Sequence, residues 1–189
     1  MKFRNMVVLI LLSVFATLTL ISCNYILENT KQKNEIINEK QSRVYIHKQE
    51  AKLLLNASRN NLDILELCED LKSVDTQNSI GHLTERLEKT HFEISKNYNE
   101  LAEKKLISIP SYENINNVNK LELKNIDIDS FIQNKLKLIL NKTDTQIQLL
   151  NALGKTTDNI EFKVLAVTDT HKLKSNINKI ETTLNKLNQ

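Results

Sequence analysis

Three regimes of apolar spacing follow one another along this chain. Residues 6–21 are almost uninterruptedly apolar. Residues 24–47 are mostly polar and mixed in charge, with Ile26, Leu27, Ile36 and Ile37 scattered among them. From Lys48 onward apolar side chains recur at spacings of three and four, the period of a helix with one buried face. Leu53, Ala57, Asn60, Ile64, Leu67, Leu71 and Val74 trace a first helix, and Leu54, Leu55, Leu62 and Leu65 widen its stripe. The pattern fades at Ser73-Val74-Asp75-Thr76, where Asp75 or Thr76 can cap the next helix. Ile80, Leu83, Leu87, His91, Ile94, Tyr98 and Leu101 trace a second, ending near Lys104 and Lys105. Pro110 then pushes Ile109 to an extended conformation. A long connection runs on to about Asn125, with Leu121 and Leu123 expected to pin it to the domain.

A third helix is expected to start at Asp127 or Asp129, either a suitable N-cap. It carries Phe131, Ile132, Leu136, Ile139, Ile147, Leu150 and Leu153, with Gly154 as a left-handed stop. Asp158 and Glu161 read as a capping-box pair for a fourth. On that helix Ile160, Val164 and Val167 share one side. Phe162, Ala166, Leu173, Ile177, Ile180, Leu184 and Leu187 form a longer stripe. Four such helices predict an all-α fold, an up-down four-helix bundle over residues 48–189.

Composition supports helices over sheet: 2 Gly, 1 Pro and no Trp among 189 residues leave too few turn-formers for a β-protein. The net charge of +3 shrinks once Lys2 and Arg4 are set aside with the apolar run they precede. The remaining 24 basic and 23 acidic side chains give no clustered excess for nucleic acid.

That opening segment is the most specific signal in the chain. Two basic residues, about sixteen apolar ones and then Leu20-Ile21-Ser22-Cys23 resemble the signal peptide and cleavage box of a bacterial lipoprotein. The run is short for a bilayer-spanning helix, which needs around twenty residues. The resemblance implies that residues 1–22 are removed and that Cys23 carries a covalent lipid. Residues 23–47 then form a polar tether, and several acyl chains hold the protein on a membrane. Asn24, where an Asp would retain a lipoprotein at the inner membrane, is compatible with export to an outer membrane. The other cysteine, Cys68, lies beside apolar helical positions in an acidic stretch and reads as a buried thiol.

Residues 51–187 resemble a bacterial family of exported or outer-membrane proteins of unknown function whose fold is ferritin-like. The features that carry the resemblance are Asn61-Leu62-Asp63-Ile64-Leu65-Glu66-Leu67, Leu87 with Thr90-His91, Leu101-Ala102 and Ile107-Ser108-Ile109-Pro110. Phe131 and Leu165-Ala166 with His171 complete the set. Relatives usually have Asp at the position of Thr90, often His at Thr143 and Pro at Ala166, so this chain keeps two of three histidines.

A ferritin-like bundle raises the possibility of a carboxylate-bridged two-metal centre, built from a Glu on each of two helices and Glu-x-x-His on the others. Glu88 to His91 provides one such motif. Thr168-Asp169-Thr170-His171 lacks the Glu. At about 100° per residue Glu88 falls to the flank of its helix, Asp63 flanks the first stripe, and Glu66 points further away. Thr143 is the inward candidate on the third helix. His91 and His171 are the only weak metal candidates, and both read better as polar residues in or beside the core. His47 and His82 read as surface. No Gly-rich phosphate loop, Gly-x-Ser-x-Gly or cysteine pair is present.

The sequence therefore predicts a non-enzymatic lipoprotein of a bacterial envelope, on the outer membrane, with a bundle that binds or supports another envelope component. No cofactor is expected beyond the lipid on Cys23. Its alternatives are a metal-binding or oxidative-stress protein using His91 and His171, and an inhibitor or immunity-type lipoprotein with one partner protein.

Overall fold

The computed structural model describes the backbone of residues 2–74, 78–112 and 127–187, and the side chains of residues 33, 35–74, 79–112 and 127–187. Among them the regular structure is entirely helical: α1 (Lys2–Lys72), α2 (Asn78–Lys104), α3 (Ile128–Thr156) and α4 (Ile160–Leu187). The chain divides into two units, residues 1–45 and 46–189. In the first, residues 24–45 of the expected tether belong to α1, and the described side chains are exposed, with Arg43 pairing Glu39 one turn away. Among the described residues no helix is long and apolar enough to cross a membrane; the apolar run at 6–21 lies outside the described side chains.

In the second unit, ion pairs and hydrogen bonds set the helix directions. Asn61 reaches Ser95 while Lys72 reaches Glu88, so α1 and α2 are antiparallel. Asp63 pairs with Lys142 and Asp70 with Lys135, so α1 and α3 are antiparallel too. Asn97 meets Asp169 while Lys104 meets Glu161, and Gln133 meets the carbonyl of Leu187 while Gly154 lies against Ala166. Hence α4 is antiparallel to both α2 and α3. The order is up, down, down, up, which corrects the simple up-down alternation expected from the sequence.

The long connection explains the difference. Because α2 and α3 run parallel, the chain must return the length of α2, about 40 Å for its 27 residues at helical rise. Some twenty extended residues can span roughly 70 Å, more than enough. Its first part is pinned: Ile107 and Ile109 pack on the core, and Ser58 donates to the carbonyl of Pro110. Tyr112 then stacks edge-on to Phe92 and donates to Glu69. These contacts move along α1 toward the end where α3 begins. Leu121 and Leu123 lie outside the described residues.

The helix ends refine the capping expectations. Asp127 caps α3, accepting from the Asp129 backbone N–H and the Ser130 hydroxyl. Gly154 does not stop that helix, which runs on to Thr156; no glycine among the described residues has a positive φ. Instead its missing side chain lets α4 approach, since a Cβ there would lie 3.3 Å from that of Ala166. The Asp158–Glu161 box does not form. Asn159 caps α4 by accepting from the Glu161 N–H, and the Glu161 carboxylate is taken by Lys104 and Lys105. Those two lysines hold its pKa down, to about 2.

α2 ends in a Schellman turn, with the N–H of Ile107 on the carbonyl of Ala102 and that of Leu106 on Glu103. The left-handed position is held by Leu106 (φ 55°), not by glycine, and that side chain is 96% exposed. A Cβ costs about 1–2 kcal/mol in this conformation, and almost no burial offsets it. Leu106→Gly is therefore expected to raise stability by about 0.5–1 kcal/mol, read as a higher midpoint in urea unfolding at unchanged slope.

Candidate functional site

The core is not continuous. One apolar cluster fills one end with Leu54, Ile94, Leu101, Leu150, Leu153 and Phe162, and a second fills the other with Ile64, Leu71, Ile80, Leu87, Leu136 and Ile180. Between them lies a layer of buried polar side chains with a member from every helix. These are Asn61 from α1, His91 from α2, Thr143 and Gln146 from α3, and Asn176 from α4, each at most 2% exposed.

The layer can be built up from one backbone group. Asn61 donates from Nδ2 to the His91 carbonyl (2.9 Å) and to Ser95 Oγ (2.7 Å). A carbonyl can only accept, so the amide orientation is set and Oδ1 faces the His91 ring, 2.7 Å from Nδ1. Nδ1 must therefore carry the imidazole proton, and Nε2 is a bare acceptor. Gln146 donates from Nε2 to Asn61 Oδ1 (3.1 Å) and to the Tyr98 hydroxyl (3.0 Å). Thr143 turns back to the Ile139 carbonyl of its own helix. His91 Nε2, Gln146 Oε1 and Asn176 Nδ2 have no hydrogen-bond partner among the described residues.

Burial then sets the chemistry. It holds the His91 pKa down, to about 3, so the ring is neutral at physiological pH and too weak a base for proton transfer near pH 7. Burial also raises the Tyr98 phenol and pushes the Cys68 thiol up to about 12, with Glu88 adding to the latter. A thiol so placed is a packing residue, as its sequence setting predicts.

One further polar group sits about two turns along α4. Asp169 is fully buried, accepts from Asn97 at Oδ1 (3.2 Å) and lies 3.8 Å from Lys172 Nζ. Its Oδ2 has no hydrogen-bond partner among the described residues. Burial raises its pKa to about 6 against the opposing pull of Lys172 and Asn97.

The histidines singled out by sequence do not meet. His91 is fully buried, whereas His171 is exposed on the outer face of α4 beside Val167. His47 and His82 are exposed, each near a glutamate one turn on. Glu88 lies on the flank of α2, paired with Lys72, Asp63 pairs with Lys142, and Glu66 is exposed. Among the described residues no three His, Cys, Asp or Glu side chains lie close enough to share a metal ion. The side chains of Leu20, Ile21, Ser22 and Cys23 lie outside the described residues.

Asn61, Gln146, Asn176 and Asp169 are the buried polar residues that the apolar spacing does not assign to the core. Asn61 enters the sequence reading only through the family resemblance, and Asp169 only in the motif before His171. A signal was there: each falls in register with apolar core positions, Asn61 between Ala57 and Ile64, Gln146 between Ile139 and Leu150, Asn176 between Leu173 and Ile180. Asp169 shares the face of Phe162 and Leu173. Comparison with family models, curated proteins and solved structures finds no match for this chain.

Proposed function

We propose that this protein is a lipoprotein of a bacterial envelope, anchored through lipid on Cys23, with the helical bundle serving as a binding or supporting module and not as a catalyst. The observation that carries the anchor is the box Leu20-Ile21-Ser22-Cys23 closing an apolar run behind Lys2 and Arg4. The bundle's part in the reading is supported by what surrounds His91. Its ring bonds the Asn61 amide, which Gln146 in turn holds in place, so a neutral ring is fixed by directional hydrogen bonds where a two-metal centre would need carboxylates. The up-down-down-up order with one long crossover favours a ferritin-like bundle over a simple alternating one. Outer-membrane residence is part of the same proposal and rests on Asn24 after the cysteine.

Lipid attachment is tested by growing cells that express the full chain on labelled palmitate. The wild-type band should take up label, and Cys23→Ala should take up none while accumulating at the mass of the unprocessed chain. Label entering the Cys23→Ala protein at wild-type level would sink the reading.

A further inference from the structure

Ile160, Val164 and Val167 recur every three or four residues on α4 and are 69%, 57% and 73% exposed. Their line points directly away from the face formed by Phe162, Leu165, Asp169 and Leu173. Neither the fold nor helix propensity calls for them, since β-branched residues are mediocre helix formers and these bury little. The stripe forms a ridge between two grooves. One, of about 400 Å³, lies between α2 and α4 with Leu101, Leu165 and Asp169 in its lining; the other, of about 530 Å³, lies between α3 and α4 over Gly154 and Ala166.

The two flanks differ in charge. On the α2 side the carboxylates are already paired, Glu161 with Lys104 and Lys105, Glu93 with Lys172. On the α3 side Lys155, Lys163 and Lys174 line the groove, exposed, without a carboxylate partner among the described residues. That is a surplus of three positive charges beside an exposed apolar ridge.

We propose that this face of α4 docks an acidic amphipathic helix of another protein, its apolar side on the Ile160–Val164–Val167 ridge and its carboxylates against Lys155, Lys163 and Lys174. The proposal goes beyond the anchoring reading and does not depend on it. A ridge between two grooves suits another helix, whose side-chain rows interdigitate with such relief, better than a smooth lipid surface. A second copy fits poorly. In an antiparallel two-fold pairing the lysines of one copy face those of the other; in a parallel one they face glutamates already engaged. Three apolar side chains also fall well short of the roughly 800 Å² per partner that a stable symmetrical dimer buries.

The test places a photo-reactive benzophenone residue at Val164 in the full chain, expressed in its native cells, with Leu138 on α3 as an exposed apolar control position. The expected result is an adduct at 164 and not at 138, whose cross-linked peptide maps to an acidic amphipathic segment of another protein. Lys155→Glu, Lys163→Glu and Lys174→Glu combined should cut its yield at least about tenfold, as lost charge pairs do. Because all three sites are exposed, an unchanged melting temperature checks that the triple variant still folds. An adduct to phospholipid, an adduct to a second copy, equal labelling at 138, no adduct, or a yield indifferent to charge reversal would each overturn the proposal.

Discussion

Replacing Asn61 with alanine is expected to cost about 3–5 kcal/mol of stability, more than a typical buried substitution. The side chain is fully buried and makes four hydrogen bonds, two as donor and two as acceptor. Gln146 would survive the loss through Tyr98, and the His91 carbonyl keeps its place in the helix ladder. The His91 Nδ1–H would not: it has no second acceptor, and the ring is too deeply buried to find water. Leaving one such donor unpaired costs about 1–3 kcal/mol, to which the lost volume adds. Asn61→Leu fills the volume yet leaves the same donor stranded, so it should also destabilise, by about 2–4 kcal/mol. Asn61→Asp should be worse than Asn61→Leu at neutral pH, because it buries a charge among neutral partners. Urea unfolding followed by circular dichroism measures all three. A loss under about 1 kcal/mol for Asn61→Ala would mean that the network does not hold α1, α2 and α3 in register.

How much of this could be read beforehand depends on which physical signal encodes it. The helix ends near Lys104, Asp127 and Ser73 were legible because apolar spacing reports them directly, and they match the observed ends to within a residue or two. The start of the first helix was not, since the spacing turns helical only at Lys48 while α1 runs from Lys2 through the expected tether. Helix order was not legible. Spacing says which face is buried and is silent on which neighbour buries it, and the directions are carried by pairs 65 and 79 residues apart, such as Asp70–Lys135 and Asp63–Lys142. The long link after Pro110 was the available hint, since alternating neighbours need only a short turn. Of the polar layer, His91 and Thr143 were legible as inward positions, and the rest was missed for a different reason. The expected stripe takes Asn60, which is only half-buried and donates to the Lys142 carbonyl, in place of its neighbour Asn61. It skips Gln146 because it is polar, although the register of Asn61 and Gln146 with apolar core positions is what buries them. Gly154 shows the converse error. A helix-stop residue near a helix end fits the rule for a cap, but the close approach of Ala166 needs a missing side chain and no turn at all.

Acid titration should expose two buried groups that work against each other. Asp169 has a folded pKa of about 6, raised chiefly by burial, against about 3.9 in the unfolded chain. Between those values the folded state holds the extra proton, so this group makes the protein less stable as pH rises from 4 to 6, by about 2–3 kcal/mol. His91 has the opposite sign. Its folded pKa lies near 3 and its unfolded value near 6.5, so its stability is fully present above pH 6.5 and is lost as pH falls toward 3. The full span is worth about 5 kcal/mol, of which about 3 falls between pH 6 and pH 4. In the wild type the two slopes nearly cancel over that window, and stability should stay level within about 1 kcal/mol. Asp169→Asn removes one of them. The variant keeps an oxygen for Asn97 and loses the charge that burial penalises, so it should be more stable than wild type at pH 7 by about 1–2 kcal/mol. It should then lose about 3 kcal/mol between pH 6 and pH 4, where the wild type loses little. Glu161 adds a loss of its own mainly below pH 4.5, from an exposed pair that salt screens, so the comparison belongs in moderate salt. An Asp169→Asn variant that is less stable at pH 7, or that shares the level profile of the wild type, would show that the Asp169 carboxylate is not the group opposing His91.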